Sequence, residues 1–236
     1  MAASAVLTRP EPFSAASSTR EQLILAAERL FAEQGIDGVS LRKIGAEAGN
    51  ANNSAVRYHF GSKQGLLQAI LEYRLPGLNR RRQLLAAQAR PDDLRSCLEA
   101  YLLPIVEEAE AEDSYYLSFL VQLQGTGVAE HPFGRLSERF RTTTEEFMGH
   151  ISDLLLDLPP SVRRSRIEQA LAICVHACAD RERARRYASP VTAYPLHVAQ
   201  LLDGIIGFLQ AQVSTATLDA LEAFPPGPPA SGRRPR

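Results

Sequence analysis

Apolar residues recur every three or four positions along most of the chain, which is the spacing of one face of an α-helix. The first such stripe consists of Leu23, Ala26, Ala27, Leu30 and Phe31. No segment alternates convincingly with a period of two, the pattern of a half-buried strand. The sequence therefore predicts an all-α fold, and it shows no internal repeat.

The first two predicted helices carry capping residues at their ends. The first is predicted from about Thr19 to Gln34, with Thr19 as its N-cap and Gln22 completing a capping box. The second is predicted from about Leu41 to Ala48, because Ser40 precedes it and Gly49 follows it. A helix this short buries little surface of its own.

The third helix is also short, and prolines punctuate the helices that follow it. It is predicted from about Asn53 to His59, and a fourth helix starts after Ser62. Proline lacks an N–H group and clashes with the preceding turn, so Pro76 is expected to kink or end the fourth helix. For the same reason Pro104 is expected to interrupt a later helix, and the prolines at 159 and 160 to stop another.

The third helix has one apolar face and one strongly polar face. Val56 and Phe60 are four residues apart and are predicted to pack with Leu30, Phe31, Leu41 and Ile44. The other positions carry amide, guanidinium, imidazole and hydroxyl groups, which reach base edges and phosphates in a DNA major groove. The two short helices therefore predict a helix-turn-helix. The alternative is an ordinary helical hairpin with a solvated face.

Charge is distributed unevenly along the chain. Residues 18–90 contain 11 Arg and Lys against 6 Asp and Glu, a net charge of +5, whereas residues 91–236 carry a net charge of −6. A basic first part favours contact with a polyanion, and DNA is the polyanion that a helix-turn-helix would meet.

Composition sets the expected compartment and the limits of the folded part. No run of about 18 apolar residues exists, and no signal peptide is recognisable, so we expect no membrane association. Three Cys are typical of a reducing cytoplasm. Residues 1–17 and 223–236 are predicted to be a disordered arm and tail. The folded part is divided at residue 65, into 18–65 and 66–222.

The segment "TREQLILAAERLFAEQGIDGVSLRKIGAEAG", followed by "YHFGSKQGLLQAIL", resembles the N-terminal domain of tetracycline-repressor (TetR) family regulators. The resemblance covers roughly residues 19 to 73 and rests on the helix, the Gly turn, the aromatic pair and the Ser-Lys step. It implies a three-helix DNA-binding domain at the N-terminus and a larger helical domain that binds a ligand and forms a dimer. Beyond about residue 90 only the helical character matches.

The resemblance also implies roles for individual residues. Arg42 falls where the family's namesake has a guanine-contacting Arg, and Lys63 falls where the family's Lys meets the DNA backbone. One additional residue between Gly49 and Phe60, relative to the commonest family spacing, leaves the base contacts in this turn open. The predicted DNA-contacting residues are Thr19, Arg42, Lys43, Asn52, Asn53, Ser54, Arg57, Tyr58, His59 and Lys63.

The second domain is expected to hold the ligand among aromatic residues and to dimerise through its last two long helices. Ligand pockets are mostly apolar with a few polar groups, which Tyr hydroxyls could supply. The predicted ligand residues are Tyr73, Tyr101, Tyr115, Tyr116, Phe119 and Phe140, with Phe133 and Phe147 in the same aromatic set. The predicted dimer residues are Ala177, Leu201, Gly204, Ile205 and Gly207, where small side chains allow close approach.

No pattern of catalytic residues is recognisable, so the chain is not expected to be an enzyme, and no cofactor or metal is expected. Cys174 and Cys178 share a helix face from which His176 points away, so they are expected to be buried small hydrophobes, with redox sensing as the alternative. The acidic stretch at 107 to 113 is expected to be solvated.

The predicted function is a homodimeric repressor that a small, mostly apolar effector releases from a palindromic operator. The alternatives are an activator of the same fold, or a helical small-molecule-binding protein or enzyme.

Overall fold

A computed structural model describes residues 18–49, 55–125 and 138–224, with only the backbone described for 138–143. Within these residues the chain forms ten helices and no strand, which confirms the predicted all-α fold. The helices are α1 (Thr19–Gln34), α2 (Leu41–Glu47), α3 (Ala55–Phe60), α4 (Lys63–Ala86), α5 (Leu94–Glu108), α6 (Tyr116–Gly125), α7 (Glu138–Asp153), α8 (Pro160–Arg186), α9 (Tyr194–Gln210) and α10 (Thr215–Ala223).

The first three helices pack around a small apolar core, as their spacing predicted. Phe31, Ile44 and Val56, one from each helix, are fully buried, and Leu41 and Phe60 pack partly buried against them. Gly45 in α2 allows a close approach, because a Cβ atom there would lie 3.7 Å from the Val56 side chain. The helix pair α2–α3 is therefore fixed by packing even though each helix is short.

Serine residues cap the three helices that frame this domain. The Ser40 hydroxyl accepts from the Lys43 N–H at 3.2 Å, and the Ser62 hydroxyl accepts from the Gly65 N–H at 3.1 Å. The N-cap of α1 is Ser18, which accepts from the Glu21 N–H at 3.3 Å, so the prediction of Thr19 as this cap was wrong by one residue. Thr19 is instead the first residue of the helix.

Two prolines lie inside helices that they were expected to kink, end or interrupt. Helix α4 continues through Pro76, which faces solvent between the buried residues Leu75 and Leu78, so the carbonyl group freed by the missing N–H can bind water. Helix α5 likewise continues through the buried Pro104. Helix α7 already ends at Asp153, and Pro160 begins α8, where a missing N–H costs nothing.

The remaining helices enclose one continuous core that joins the two predicted domains. Helix α6 packs between α1 and α8, and α4 packs against α1 and α5. Phe119 of α6 lies 6.3 Å from Phe31 of α1, measured between ring centres, and both rings are fully buried. Helix α10, which the sequence did not predict, follows α9 and buries none of its residues. The first domain therefore rests directly on the second.

The acidic stretch at 107 to 113 is not simply solvated, which corrects the expectation from sequence. Glu107 pairs with Arg81 of α4 at 2.7 Å, and Glu110 pairs with Arg181 of α8. Glu108 accepts from the Ser114 hydroxyl at 2.7 Å. These carboxylates at the end of α5 thus hold α4 and α8, whose arginines are distant in sequence.

Some predictions fall on residues outside the described part of the chain. They are the arm 1–17, the tail from 225 onward, Asn52, Asn53, Ser54, Phe133 and the side chain of Phe140. In the described ranges, none of the helices combines the length and the apolar character needed to cross a lipid bilayer.

Candidate functional site

The outer surface of the helix-turn-helix carries the predicted DNA-contacting side chains that the structure describes. Arg42 and Lys43 are exposed on α2, and Arg57 and Tyr58 are exposed on α3. The inward positions of the same helices are occupied by apolar core residues. The sequence thus separates a packing face from a polar face within helices of seven and six residues.

Three consecutive aromatic rings lie at the end of α3. Tyr58 is 86% exposed, and its ring lies edge-on to His59 with 5.1 Å between ring centres. His59 in turn lies 6.0 Å from Phe60, whose ring packs against the core. A tyrosine as exposed as Tyr58 contributes little to this protomer's own stability, so its ring is free to contact another molecule.

The cations on this surface are largely free of acidic partners. Among the described residues, neither Arg42 nor Arg57 forms an ion pair, whereas Arg29 on the side of α1 pairs with Glu47. The Lys43 ammonium donates to the Gln34 side-chain oxygen, a neutral partner. Unpaired guanidinium groups keep their full charge for phosphate or guanine, both of which they bind in a bidentate manner.

The start of α4 lies beside the end of α3 and is held there by a tight turn. Gly61 has a φ of +69°, a left-handed conformation that glycine adopts without strain. A Cβ atom on Gly65 would overlap the carbonyl oxygen of Phe60, so the first turn of α4 touches the backbone of α3. Lys63 begins α4, with its ammonium 5.7 Å from the centre of the Phe31 ring. Lys63 and the aromatic row therefore lie next to each other.

This geometry agrees with what sequence comparison finds. Residues 23–70 match the model of the bacterial regulatory proteins of the tetR family, which spans α1 to the first part of α4. Residues 23–70 therefore form an N-terminal domain of the tetR type. The match confirms the resemblance and the helix-turn-helix that the residue pattern predicted for this part of the chain.

A curated relative extends the match beyond the DNA-binding domain. The HTH-type transcriptional regulator SrpR of Pseudomonas putida is 27% identical over 139 residues, which are 57% of this chain. The match spans 62% of that relative, somewhat less than two thirds of its length.

Solved structures share the arrangement of the helices. NalD, the secondary repressor of the MexAB-OprM multidrug efflux pump in Pseudomonas aeruginosa, superposes with a TM-score of 0.51 at 20% identity, covering 83% of this chain and 98% of NalD. SCO4454, a TetR-family transcriptional regulator from Streptomyces coelicolor, superposes with a TM-score of 0.51 at 19% identity, covering 81% and 94% of the two chains. At these identities the likeness shows the fold, which therefore extends through the C-terminal helices.

The aromatic residues predicted to line a ligand pocket are mostly engaged elsewhere in the fold. Tyr116 and Phe119 are buried in the core, and the Tyr73 hydroxyl donates to Glu21 at 2.5 Å. Tyr115 lies under the Arg186 guanidinium, 3.8 Å from ring centre to Cζ. Tyr101 stacks on Phe147 with 3.5 Å between ring centres. Their roles in ligand binding stay predictions.

A small apolar cavity lies between α5, α7, α8 and α9. Its volume is about 10 Å³, and its lining consists of Leu98, Leu102, Phe147, Ile151, Ile167, Ala170, Leu171 and Leu209. Of the predicted aromatic residues whose side chains the structure describes, only Phe147 reaches it, although Tyr101 stacks on that ring. Its aliphatic residues occur at ordinary helical spacing, so nothing in the sequence distinguished them from the core.

The predicted dimer residues divide into exposed and buried positions. Gly204 and Gly207 are exposed on α9, and a Cβ atom on either would meet open space. Ala177 and Leu201 are partly buried, whereas Ile205 is only 1% exposed and packs into the core of its own protomer. The exposed apolar residues Ile173 of α8 and Leu196 of α9 were missed, although Leu196 is eight residues, or about two helical turns, before Gly204.

The two neighbouring cysteines are buried, as expected. Cys174 and Cys178 have no exposed surface, and the hydrogen bond with Cys174, together with burial, raises the pKa of the Cys178 thiol. A neutral buried thiol is a poor nucleophile and a poor metal ligand. Within the ranges that the structure describes, no three His, Cys, Asp or Glu side chains are grouped so as to hold a metal ion.

Proposed function

We propose that the protein is a homodimeric transcriptional repressor whose helix-turn-helix binds an operator and whose second domain binds a small apolar effector. The observation that carries the proposal is the exposed polar surface of α2 and α3, inside a domain that matches the tetR family model. On this surface Arg42 and Arg57 form no ion pair with a described residue. By occupying a promoter, the protein is proposed to block transcription.

Residues of α2 and α3 are proposed to enter the major groove, and residues of α1 and α4 to contact the backbone. Arg42, Lys43, Arg57 and Tyr58 occupy the exposed surface that would face the bases and nearby phosphates. Lys63 and the N–H groups of the first turn of α4 favour a phosphate, because a helix N-terminus carries partial positive charge. Thr19 at the start of α1 is proposed to act in the same way.

A homodimer is proposed to form through α8 and α9. These helices pack against each other, and their outer surface carries Ile173, Leu196, Gly204 and Gly207. Exposed apolar side chains beside open glycine positions suit close contact with helices of a second copy. Two identical helix-turn-helix units would then recognise a palindromic operator.

The apolar cavity is the proposed effector site. The described residues that line it are apolar, but 10 Å³ is far below the 300 Å³ or more of typical ligand pockets, so an effector must enlarge it. Leu98 and Leu102 of α5 line it, and the end of α5 holds Arg74 and Arg81 of α4. An effector that binds best when α5 has moved would shift α4, and with it the DNA-binding domain, away from the DNA-competent state.

The experiment that tests this function is a binding titration with the DNA directly upstream of the gene. The wild-type protein should bind that duplex more tightly than a random-sequence duplex, and Arg42→Ala should reduce the difference. Equal affinity for both duplexes would contradict operator recognition. A promoter–reporter fusion assayed with and without the protein separates repression from activation by the sign of the change.

A further inference from the structure

Arg20 lies at the junction between α1 and α3, outside the segment that was predicted from sequence to contact bases. It is the second residue of α1 and is exposed. Its guanidinium carbon lies 5.4 Å from the centre of the Phe60 ring, within the range of a cation–π contact. Phe60 is the last residue of α3, so this contact joins the first helix to the end of the third.

The charge of Arg20 is not neutralised by an ion pair with any described carboxylate. In the same helix Arg29 is paired with Glu47, which makes it an internal contrast. The adjacent carboxylate, that of Glu21, instead accepts from the Tyr73 hydroxyl. Arg20 is therefore a charged group held by an aromatic ring.

The position of the ring places this guanidinium in line with the aromatic row. The ring of Tyr58 contacts that of His59, and the ring of His59 contacts that of Phe60. The Arg20 guanidinium contacts the Phe60 ring and so extends this row of contacts in space. A guanidinium that lies over a ring keeps its N–H groups directed outward in its own plane, which is the geometry of a bidentate phosphate contact. Holding the side chain in place also lowers the entropy lost on binding.

We propose that Arg20 contacts a DNA phosphate and that Phe60 is the positioning residue that holds it there. A phosphate is inferred because α1 flanks the helix-turn-helix, and in such motifs the helix outside the groove meets the backbone. This inference rests on the proposed DNA-binding function. It adds a backbone contact from α1 to those proposed for α2, α3 and α4.

The test is a salt series with the full-length protein and a random-sequence DNA duplex, which needs no knowledge of the operator. Each lost phosphate contact flattens the dependence of log affinity on log salt by about 0.9, so Arg20→Ala should lower the slope by about 2 in a symmetric dimer. Arg20→Lys keeps the charge and should keep the slope, while affinity falls about twofold to fivefold because an ammonium cannot stack on the Phe60 ring as a planar guanidinium does.

The matched control is Arg80→Ala. Arg80 is also exposed and has no acidic partner among the described residues, but it is 17 residues after Lys63, or about 25 Å along α4. The dependence of log affinity on log salt should have the same slope for Arg80→Ala as for the wild type. Ala is a good helix former, so neither alanine variant should unfold its helix.

A double-mutant cycle tests the positioning role. Phe60→Leu should lower affinity by a factor similar to that of Arg20→Lys, and the two together should lower it no further, because they remove one shared contact. An unchanged slope for Arg20→Ala, or an equal loss for Arg80→Ala, overturns the phosphate contact. Independent effects in the cycle overturn the role of Phe60. Failure of the wild type to bind DNA overturns the proposed function itself, and this outcome is distinguishable from the other two.

Discussion

The carboxylate of Glu28 accepts two hydrogen bonds from the guanidinium of Arg74, at 2.6 and 2.8 Å. Glu28 lies in α1 and is only 1% exposed, and the same carboxylate accepts from the Tyr115 N–H at 3.3 Å, directly before α6. Arg74 lies in α4 and also pairs with Glu108 of α5 at 3.2 Å. One buried ion pair therefore connects α1 of the DNA-binding domain to α4, α5 and α6.

Removal of Arg74 should strongly destabilise the protein. Arg74→Met leaves Glu28 as a buried charge without its main partner, and breaking a buried pair in this way typically costs about 3 to 5 kcal/mol. The measurement is the free energy of unfolding from urea titration at neutral pH. Arg95→Met is the matched control, because Arg95 pairs with Asp203 on the surface, and it should cost less than about 1 kcal/mol. Equal losses for the two variants would show that the buried pair has no special weight.

The same pair predicts a pH dependence of stability. Burial raises the pKa of the Glu28 carboxyl above its ordinary value of 4.5, although Arg74 and the Tyr115 N–H oppose this shift. Between the ordinary and the raised value, the folded chain binds this proton more than the unfolded chain does. The contribution of Glu28 to the free energy of unfolding is therefore fully present below the ordinary value and is lost as pH rises through the raised one.

Glu28→Gln removes this titration, because an amide cannot ionise in the accessible range. The wild type minus Glu28→Gln difference in the free energy of unfolding should fall as pH is raised above about 4.5. Urea titrations of both proteins across a pH series measure it. A difference that stays constant would show that Glu28 titrates alike in both states, and one that grows would show that the ion pair outweighs burial.

The turn between α3 and α4 should not tolerate a methyl group at Gly65. Gly65→Ala places a Cβ atom inside contact distance of the Phe60 carbonyl oxygen, so the end of α3 must move, with loss of stability and of DNA affinity. Gly77→Ala is the matched control in the same helix. A Cβ atom there meets open space, and Ala should stabilise α4 by about 0.5 to 1 kcal/mol. Thermal unfolding of both variants tests this contrast, and a stabilised Gly65→Ala would contradict the described turn.

The helical spacing of apolar residues was sufficient to predict the architecture of the first domain. Ile44 and Val56 each lie on the apolar face of a helix, and both are buried. Ser40 and Ser62 each cap a helix by accepting a hydrogen bond from the N–H group three residues later. These are local relationships, so the sequence contains all the information that they need. The polar face of α3 could be recognised for the same reason.

Features that depend on distant residues could not be predicted in this way. Pro76 lies on the solvent face of a helix whose other face packs against α1 and α5, and this packing outweighs the local cost of the proline. Glu107 and Glu110 looked like solvated charges because their arginines come from α4 and α8. The burial of Tyr116, which the α1–α6 contact produces, was likewise not evident from its local sequence. In each case tertiary contacts decide.

Arg42 should determine base preference. Arg42→Ala is expected to lower operator affinity by about 1 to 3 kcal/mol and to relax the preference at one base pair in each half-site, because an exposed unpaired guanidinium suits bidentate contact with guanine. Arg29→Ala is the control, because the Arg29 guanidinium already forms an ion pair with Glu47. Titration against a set of operators with single base-pair changes measures both effects. A uniform loss across all sequences, random DNA included, would make Arg42 a phosphate contact instead.

The outer surface of α9 should carry the dimer interface. Gly207→Arg introduces a long charged side chain at an exposed position where a Cβ atom meets open space, so the protomer should keep its fold while close approach of a second copy is blocked. Gly149→Arg on α7 is the matched control, because Gly149 is also exposed and also faces open space. Sedimentation velocity across a concentration series should show a weakened dimer for Gly207→Arg and an unchanged one for Gly149→Arg. Circular dichroism should show equal helix content in both variants, because neither substitution touches the core. If instead Gly149→Arg dissociates the dimer and Gly207→Arg does not, the two copies associate through α7. The distance between the two DNA-binding domains, and with it the spacing of the operator half-sites, would then be set by α7.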